Sequence, residues 1–126
     1  MTHEVISTPQ APAAIGPYAQ GRAAGNLIFL SGQIGIEPTS GKLVNGGTGP
    51  QAHQVFENIR SLAIAAELSL AAVVKLAVFL VDLEDYSQVN EIMRAYFQAP
   101  YPARSAVAVA ALPLGARIEV EAILAR

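Results

Sequence analysis

The chain's 126 residues suffice for one domain with a real core, and its 52% hydrophobic and 14% charged residues, in alanine-rich patterned segments, exclude a disordered chain. A net charge of −2, with eight Lys and Arg dispersed among ten Asp and Glu, leaves no basic stripe to follow a phosphate backbone and excludes nucleic acid as the main partner. The absence of cysteine removes disulfides, thiolate metal sites and cysteine nucleophiles together.

Two histidines, His3 and His53, are too few and too separated for a zinc cluster. The opening Met-Thr-His-Glu lacks a charged n-region followed by an apolar h-region, and no apolar run approaches the roughly 20 residues of a membrane span. A soluble cytoplasmic protein with no membrane partner is expected. So sparse a charged surface also suggests that apolar area is covered by another subunit.

Along the chain, Pro9, Pro12, Gly16 and Pro17 forbid regular structure over residues 8–17. Tyr18 to Ala24 can form a short strand, Gly25-Asn26 a tight turn, and Leu27 to Leu30 a strand expected to be buried on both faces. From Pro38 to Pro50 the prolines and glycines predict a long surface loop. A helix is expected from about Gln51, with Val55, Phe56, Ile59, Leu62 and Ala66 on one apolar stripe and His53 on the solvated side. Val73 to Val81 reads as a strand. Asp82 can cap a second helix from about Leu83 to Phe97, with Asp85 in the capping-box position, and Pro100 and Pro102 stop it. Ala103 to Ala110 and Ala116 to Ala125 close the chain as strands. The order is strands, a helix, a strand, a helix and two strands, a single α+β domain over residues 1–126 with both helices on one sheet face.

Three places could carry chemistry. Arg104 shares a strand face with Ala106, Ala108 and Ala110, and a guanidinium beside methyl groups leaves a pocket for a small anion, which Arg grips through two parallel charge-assisted hydrogen bonds. The plainer outcome is an ion pair with Glu119 or Glu121, or a strand end in water. In the last strand Arg117, Glu119 and Glu121 share one face, the carboxylates roughly 6.5–7 Å apart. Partial burial would make them compete for one proton, the condition for a general acid, whereas on a solvent face Arg117 simply neutralises them. Ser31-Gly32-Gln33 ends a strand where a glycine N–H could hold an anion, or where the chain merely turns. No histidine-aspartate relay accompanies Ser31, so a serine nucleophile is poorly supported.

Five segments agree with one family. Ala14-Ile15-Gly16-Pro17-Tyr18-Ala19-Gln20-Gly21, Leu27 to Ile34 (LIFLSGQI), Val89-Asn90, Pro102-Ala103-Arg104-Ser105 and Ile118-Glu119-Val120-Glu121 resemble the RidA/YjgF family of imine and enamine deaminases over essentially the whole chain. The resemblance implies a chorismate-mutase-like α+β fold, a mixed and mostly antiparallel sheet, and a homotrimer with sites in the clefts between subunits. It implies hydrolysis of 2-aminoacrylate-type enamines and imines to 2-oxo acids and ammonia, with no cofactor and no metal. Arg104 would clamp the substrate carboxylate and Glu119 would assist the attacking water, while Tyr18, Ser31, Gly32, Asn90 and Ala106 would line the pocket. Two departures stand out: Ala106 occupies a position where many members carry cysteine, and the first helix ends Ala66-Glu67-Leu68 where relatives often have glycine. A trimer that binds a small carboxylate without turning it over is the alternative, and a ribonuclease is disfavoured by the acidic balance.

Overall fold

The hairpin at Gly25-Asn26 organises the sheet. In this computed structural model, which describes residues 4–126, Gly25 takes φ +60 between strands β2 (Gly21–Ala24) and β3 (Leu27–Gln33). The expectation for His3 lies outside the described residues. Strand β1 (Val5–Ile6) pairs with β2, and residues 18–20, expected as the start of that strand, are not strand. The proline-rich loop before it is ordered by buried Gln20, whose amide accepts from Thr8 N–H and donates to the carbonyls of Thr8, Ala11 and Pro12.

The expected loop from Pro38 to Pro50 holds more structure than its composition suggested. Strand β4 (Ile36–Glu37) just ahead of it pairs with β5 (Lys42–Leu43) inside it, and helix α1 (Thr48–Ala65) starts three residues ahead of Gln51. Gly46 and Gly47, both at positive φ, turn the chain into the helix, and Pro50 sits in its first turn, where no intrahelical N–H is needed.

Strand β6 (Val73–Leu80) follows, then a 3-10 turn over Leu83–Asp85, helix α2 (Tyr86–Tyr96), β7 (Ala103–Ala108) and β8 (Ile118–Ala125). The second helix is thus shorter than its expected span from Leu83 to Phe97. Asp82 accepts from Glu84 N–H and so caps the 3-10 turn, while Asp85 turns away to accept from Thr48 Oγ1 at 2.6 Å and Arg117 Nη2 at 3.1 Å. Strand β7 ends at Ala108, so Ala110 lies beyond it.

The six-stranded sheet runs β1-β2-β3-β8-β6-β7, antiparallel throughout except for the parallel β6–β7 pair. Ile28, Leu30, Leu76, Val78, Leu80, Ile118, Val120 and Leu124 form its buried face, packed with Val55, Phe56, Ile59 and Leu62 of α1 and Val89 and Met93 of α2. The fold is therefore α+β, a mixed and mostly antiparallel sheet with both helices on one face. Leu27 and Phe29 were expected to be buried on both sides of β3. Instead they are 40% and 44% exposed, because their face of the sheet has no layer over it among the described residues.

At the end of α1, Glu67 takes φ 62 while Leu68 N–H returns to the Ala63 carbonyl, the left-handed cap that glycine adopts without strain. Glu67→Gly is expected to raise unfolding free energy by about 1 kcal/mol, read from the urea midpoint at unchanged slope.

Candidate active site

The registers decide which candidate residues can meet. Arg104 lies opposite Leu76 and Ala106 opposite Val78, so both project to the helix side of the sheet. Glu119 lies opposite Phe79 and Glu121 opposite Ala77, so both project to the open side. Within one chain the arginine and the glutamates point away from each other. The ion pair considered from sequence does not form, and Arg104 has no carboxylate partner among the described residues.

On the helix side, Arg104 is held by neutral groups of α2. Its Nη1 donates to Asn90 Oδ1 at 2.6 Å and to Met93 Sδ at 3.2 Å, and its Nη2 donates to the Tyr86 hydroxyl at 2.5 Å. The guanidinium carbon stands 5.0 Å from the centre of the Tyr86 ring. Residues 86, 90 and 93 follow i, i+4, i+7 spacing, one face of a helix, and that face meets β7. Asn90, Met93, Arg94, Tyr101, Pro102 and Arg104 line a cavity of about 280 Å3. Ala106 lies two residues along the same strand face and is half-buried.

A guanidinium has five N–H donors, and three are engaged here, two on Nη1 and one on Nη2. Nε and the second Nη2 hydrogen have no protein acceptor among the described residues. Two donors and an uncompensated positive charge fit a carboxylate.

On the open side, β3 and β8 lose register between Leu30, paired with Ala122, and Gln33, paired with Val120. Ser31 and Gly32 occupy this bulge, and bulges re-aim side chains beside functional sites. Ser31 Oγ donates to the Ala19 carbonyl at 2.6 Å and its N–H to the Gln20 carbonyl, tying the Tyr18 segment alongside. Ser31 is thereby a positioning hydroxyl. Tyr18 is 51% exposed and accepts from Ile15 N–H.

Gly32 backs directly on Glu119. A Cβ at position 32 would stand 2.7 Å from Glu119 Oε2, so any side chain there displaces the carboxylate. Glu119 is half-buried and its pKa is raised, first by burial and second by the neighbouring charge of exposed Glu121. Arg117 does not neutralise the pair as its sequence position suggested. Its side chain turns to Thr48 and Asp85, and its N–H donates to Gln51 Oε1 at 2.8 Å.

The raised pKa has a consequence for stability. A carboxyl whose folded pKa lies above its unfolded value favours the fold while protonated, and that contribution is lost as pH rises through the folded value. Glu119→Gln removes the ionised form. Its melting temperature is expected to exceed the parent's at neutral pH, with the difference vanishing below the ordinary glutamate range, measured by scanning calorimetry against pH.

A larger cleft of about 570 Å3, lined by Ile64, Leu70, Tyr96, Phe97 and Pro100, contains none of the candidate residues, and its one lining cation, Arg60, is held by Glu57. His53, expected on a solvated face, is exposed and meets the Tyr96 hydroxyl at 3.0 Å. No helix among the described residues is long and apolar enough to cross a membrane.

A family profile described as Endoribonuclease L-PSP matches residues 8–126. A 2-iminobutanoate/2-iminopropanoate deaminase of Bos taurus is 47% identical over 123 residues, covering 98% of this chain and 90% of the relative. The chain belongs to the RidA/YjgF family. Among solved RidA/YjgF structures, RidA from an Antarctic Psychrobacter is 47% identical with a TM-score of 0.95, covering 98% of this chain and 99% of that one. Escherichia coli TdcF, solved with bound serine, is 41% identical with a TM-score of 0.93, covering 98% of each chain.

Sequence reasoning missed Tyr86 and Met93 as members of the arginine's surroundings. The spacing of Tyr86, Asn90 and Met93 on a predicted helix was available, but a methionine on an amphipathic helix reads as core and nothing local in the sequence sets β7 beside α2.

Proposed function

We propose that this chain hydrolyses small, reactive 2-imino acids, and the 2-aminoacrylate-type enamines that tautomerise to them, to 2-oxo acids and ammonia. The observation that carries the reading is Arg104, a half-buried cation without a carboxylate partner among the described residues, held by neutral side chains with two donors still open. The names of the relatives support the same chemistry.

The substrate carboxylate takes the open Arg104 donors, which fixes the C=N carbon relative to the pocket. Water adds to that carbon as Glu119 accepts its proton and passes it to the imine nitrogen, giving a carbinolamine. Glu119 then takes the carbinol hydroxyl proton and delivers it to the amine nitrogen, the C–N bond breaks, ammonia leaves, and the C=O of the 2-oxo acid forms. A carboxyl raised toward the working pH suits both halves of this exchange. Since imines are reactive electrophiles, positioning and one proton relay suffice, without a metal or cofactor.

Because Arg104 and Glu119 leave opposite faces of their sheet, one chain supplies two half-sites. A homotrimer in the chorismate-mutase-like arrangement would bring Arg104, Asn90 and Ala106 of one copy against Glu119, Gly32, Ser31 and Tyr18 of the next. The uncovered sheet face, with Phe29 and Val107 at 44% and 47% exposure, offers apolar surface for that assembly. The domain over residues 1–126 would then be one third of a three-site assembly.

The test generates imines in situ from several amino acids with an amino-acid oxidase and follows their decay. The protein is expected to accelerate decay and Arg104→Ala to abolish the acceleration. Binding of a 2-oxo acid without acceleration would instead support a carboxylate-binding trimer.

A further inference from the structure

We infer that Tyr86 is a positioning residue for the substrate carboxylate, acting through Arg104. The inference rests on the reading of Arg104 as the carboxylate anchor. Two atoms of the guanidinium are held, Nη1 by Asn90 and Nη2 by the Tyr86 hydroxyl. One point of attachment lets a planar group pivot; two fix its plane. With Nη1 saturated by Asn90 and Met93, the second attachment at Nη2 determines where the remaining Nη2 and Nε donors point.

The Tyr86 ring adds a second constraint, since its centre lies 5.0 Å from the guanidinium carbon. Ring and hydroxyl therefore act on different degrees of freedom, the ring against tilting away and the hydroxyl against rotation in plane. Neither brings a negative charge. A carboxylate in place of Tyr86 or Asn90 would hold the arginine equally well but would compete with the substrate for it. Neutral acceptors hold the cation and leave its charge uncompensated.

Tyr86 is 39% exposed, so water can replace its hydroxyl as a hydrogen-bond partner but not as a fixed one. Loss of the hydroxyl is therefore expected in carboxylate affinity rather than in folding. The chemical step at the imine carbon is served by Glu119 and should be little affected.

The experiment compares the parent, Tyr86→Phe and Tyr86→Leu by imine-hydrolysis kinetics, by calorimetric titration with 2-oxobutanoate, and by melting temperature. Tyr86→Phe is expected to raise KM and Kd by roughly fivefold to tenfold, with kcat within about twofold and the melting temperature unchanged. Tyr86→Leu should weaken binding further through loss of the ring. If Tyr86→Phe leaves KM and Kd at parental values, the inference is wrong while the deaminase reading stands. A fall in kcat at constant KM and Kd also overturns it, because the hydroxyl would then serve chemistry. If the parent binds 2-oxobutanoate yet hydrolyses no imine, the deaminase reading fails and the Kd comparison still decides the role of Tyr86. A parent that neither binds nor hydrolyses overturns both.

Discussion

Arg104→Ala is expected to lower kcat/KM for imine hydrolysis by roughly 10²-fold to 10⁴-fold, the loss of two charge-assisted hydrogen bonds of about 1.5–3 kcal/mol each. The melting temperature should barely move, since the released Asn90 borders a cavity that water can enter and the released Tyr86 side chain is partly exposed to solvent. Arg104→Lys separates charge from geometry. An ammonium keeps the charge but carries only three donors on one nitrogen, so it cannot keep Asn90 and Tyr86 and still present two parallel bonds to a carboxylate. Its activity should lie between the parent and Arg104→Ala. If Arg104→Lys matched the parent, the pocket would need only a positive charge, and the argument from two open donors would fall. Rates are measured on imines from at least three amino acids, so that loss of the carboxylate anchor appears on all of them.

The alternation of β7 and β8 was legible from sequence, and it placed Arg104 with Ala106 and Glu119 with Glu121 correctly on their strands. What could not be read was which side of the sheet each face would meet. That depends on the parallel β6–β7 pairing and the central position of β8, both non-local facts set after the strands assemble. The strand at Leu27 shows the same limit. Its uninterrupted apolar run predicted burial on both faces, but Phe29 is left open within the chain, since hydrophobicity records that a face will be covered and not by what.

The glutamate pair illustrates a finer gap. Mutual repulsion was the anticipated cause of a raised pKa, yet at Glu119, whose carboxyl lies against Gly32, burial is the larger one. The bulge that puts Gly32 there is a one-residue irregularity between Leu30 and Gln33, invisible to a period-two pattern. Likewise β5, two residues long, hides inside a segment whose glycines and prolines read as loop, and its partner β4 ends just before that segment. Arg117 was misassigned for the opposite reason. It precedes β8 by one residue, so strand alternation did not govern it, and Asp85 and Thr48 drew it to the helix termini.

The split of Arg104 and Glu119 across the sheet makes an expectation that a one-chain site cannot match. Arg104→Ala and Glu119→Gln chains, each nearly inactive alone, are expected to regain activity when co-expressed and assembled together. In a ring of identical interfaces of the kind proposed, a functional site would need Arg104 from one copy and Glu119 from the next. Random assembly of equal amounts gives both intact residues at about a quarter of the interfaces, so about a quarter of parental activity should return. A chain carrying both substitutions, mixed with the parent, gives the same fraction of intact sites, about a quarter. If instead both residues acted within one chain, the first mixture would have no intact site and the second would keep about half. The two mixtures together therefore distinguish the arrangements without any structure of the assembly. Native mass spectrometry on the same samples separates the species by the Arg-to-Ala mass difference and confirms that mixed oligomers formed. Recovery absent from verified mixed oligomers would show that the half-sites do not meet across copies, and the sheet's open face would then need another explanation for Glu119 and Gly32.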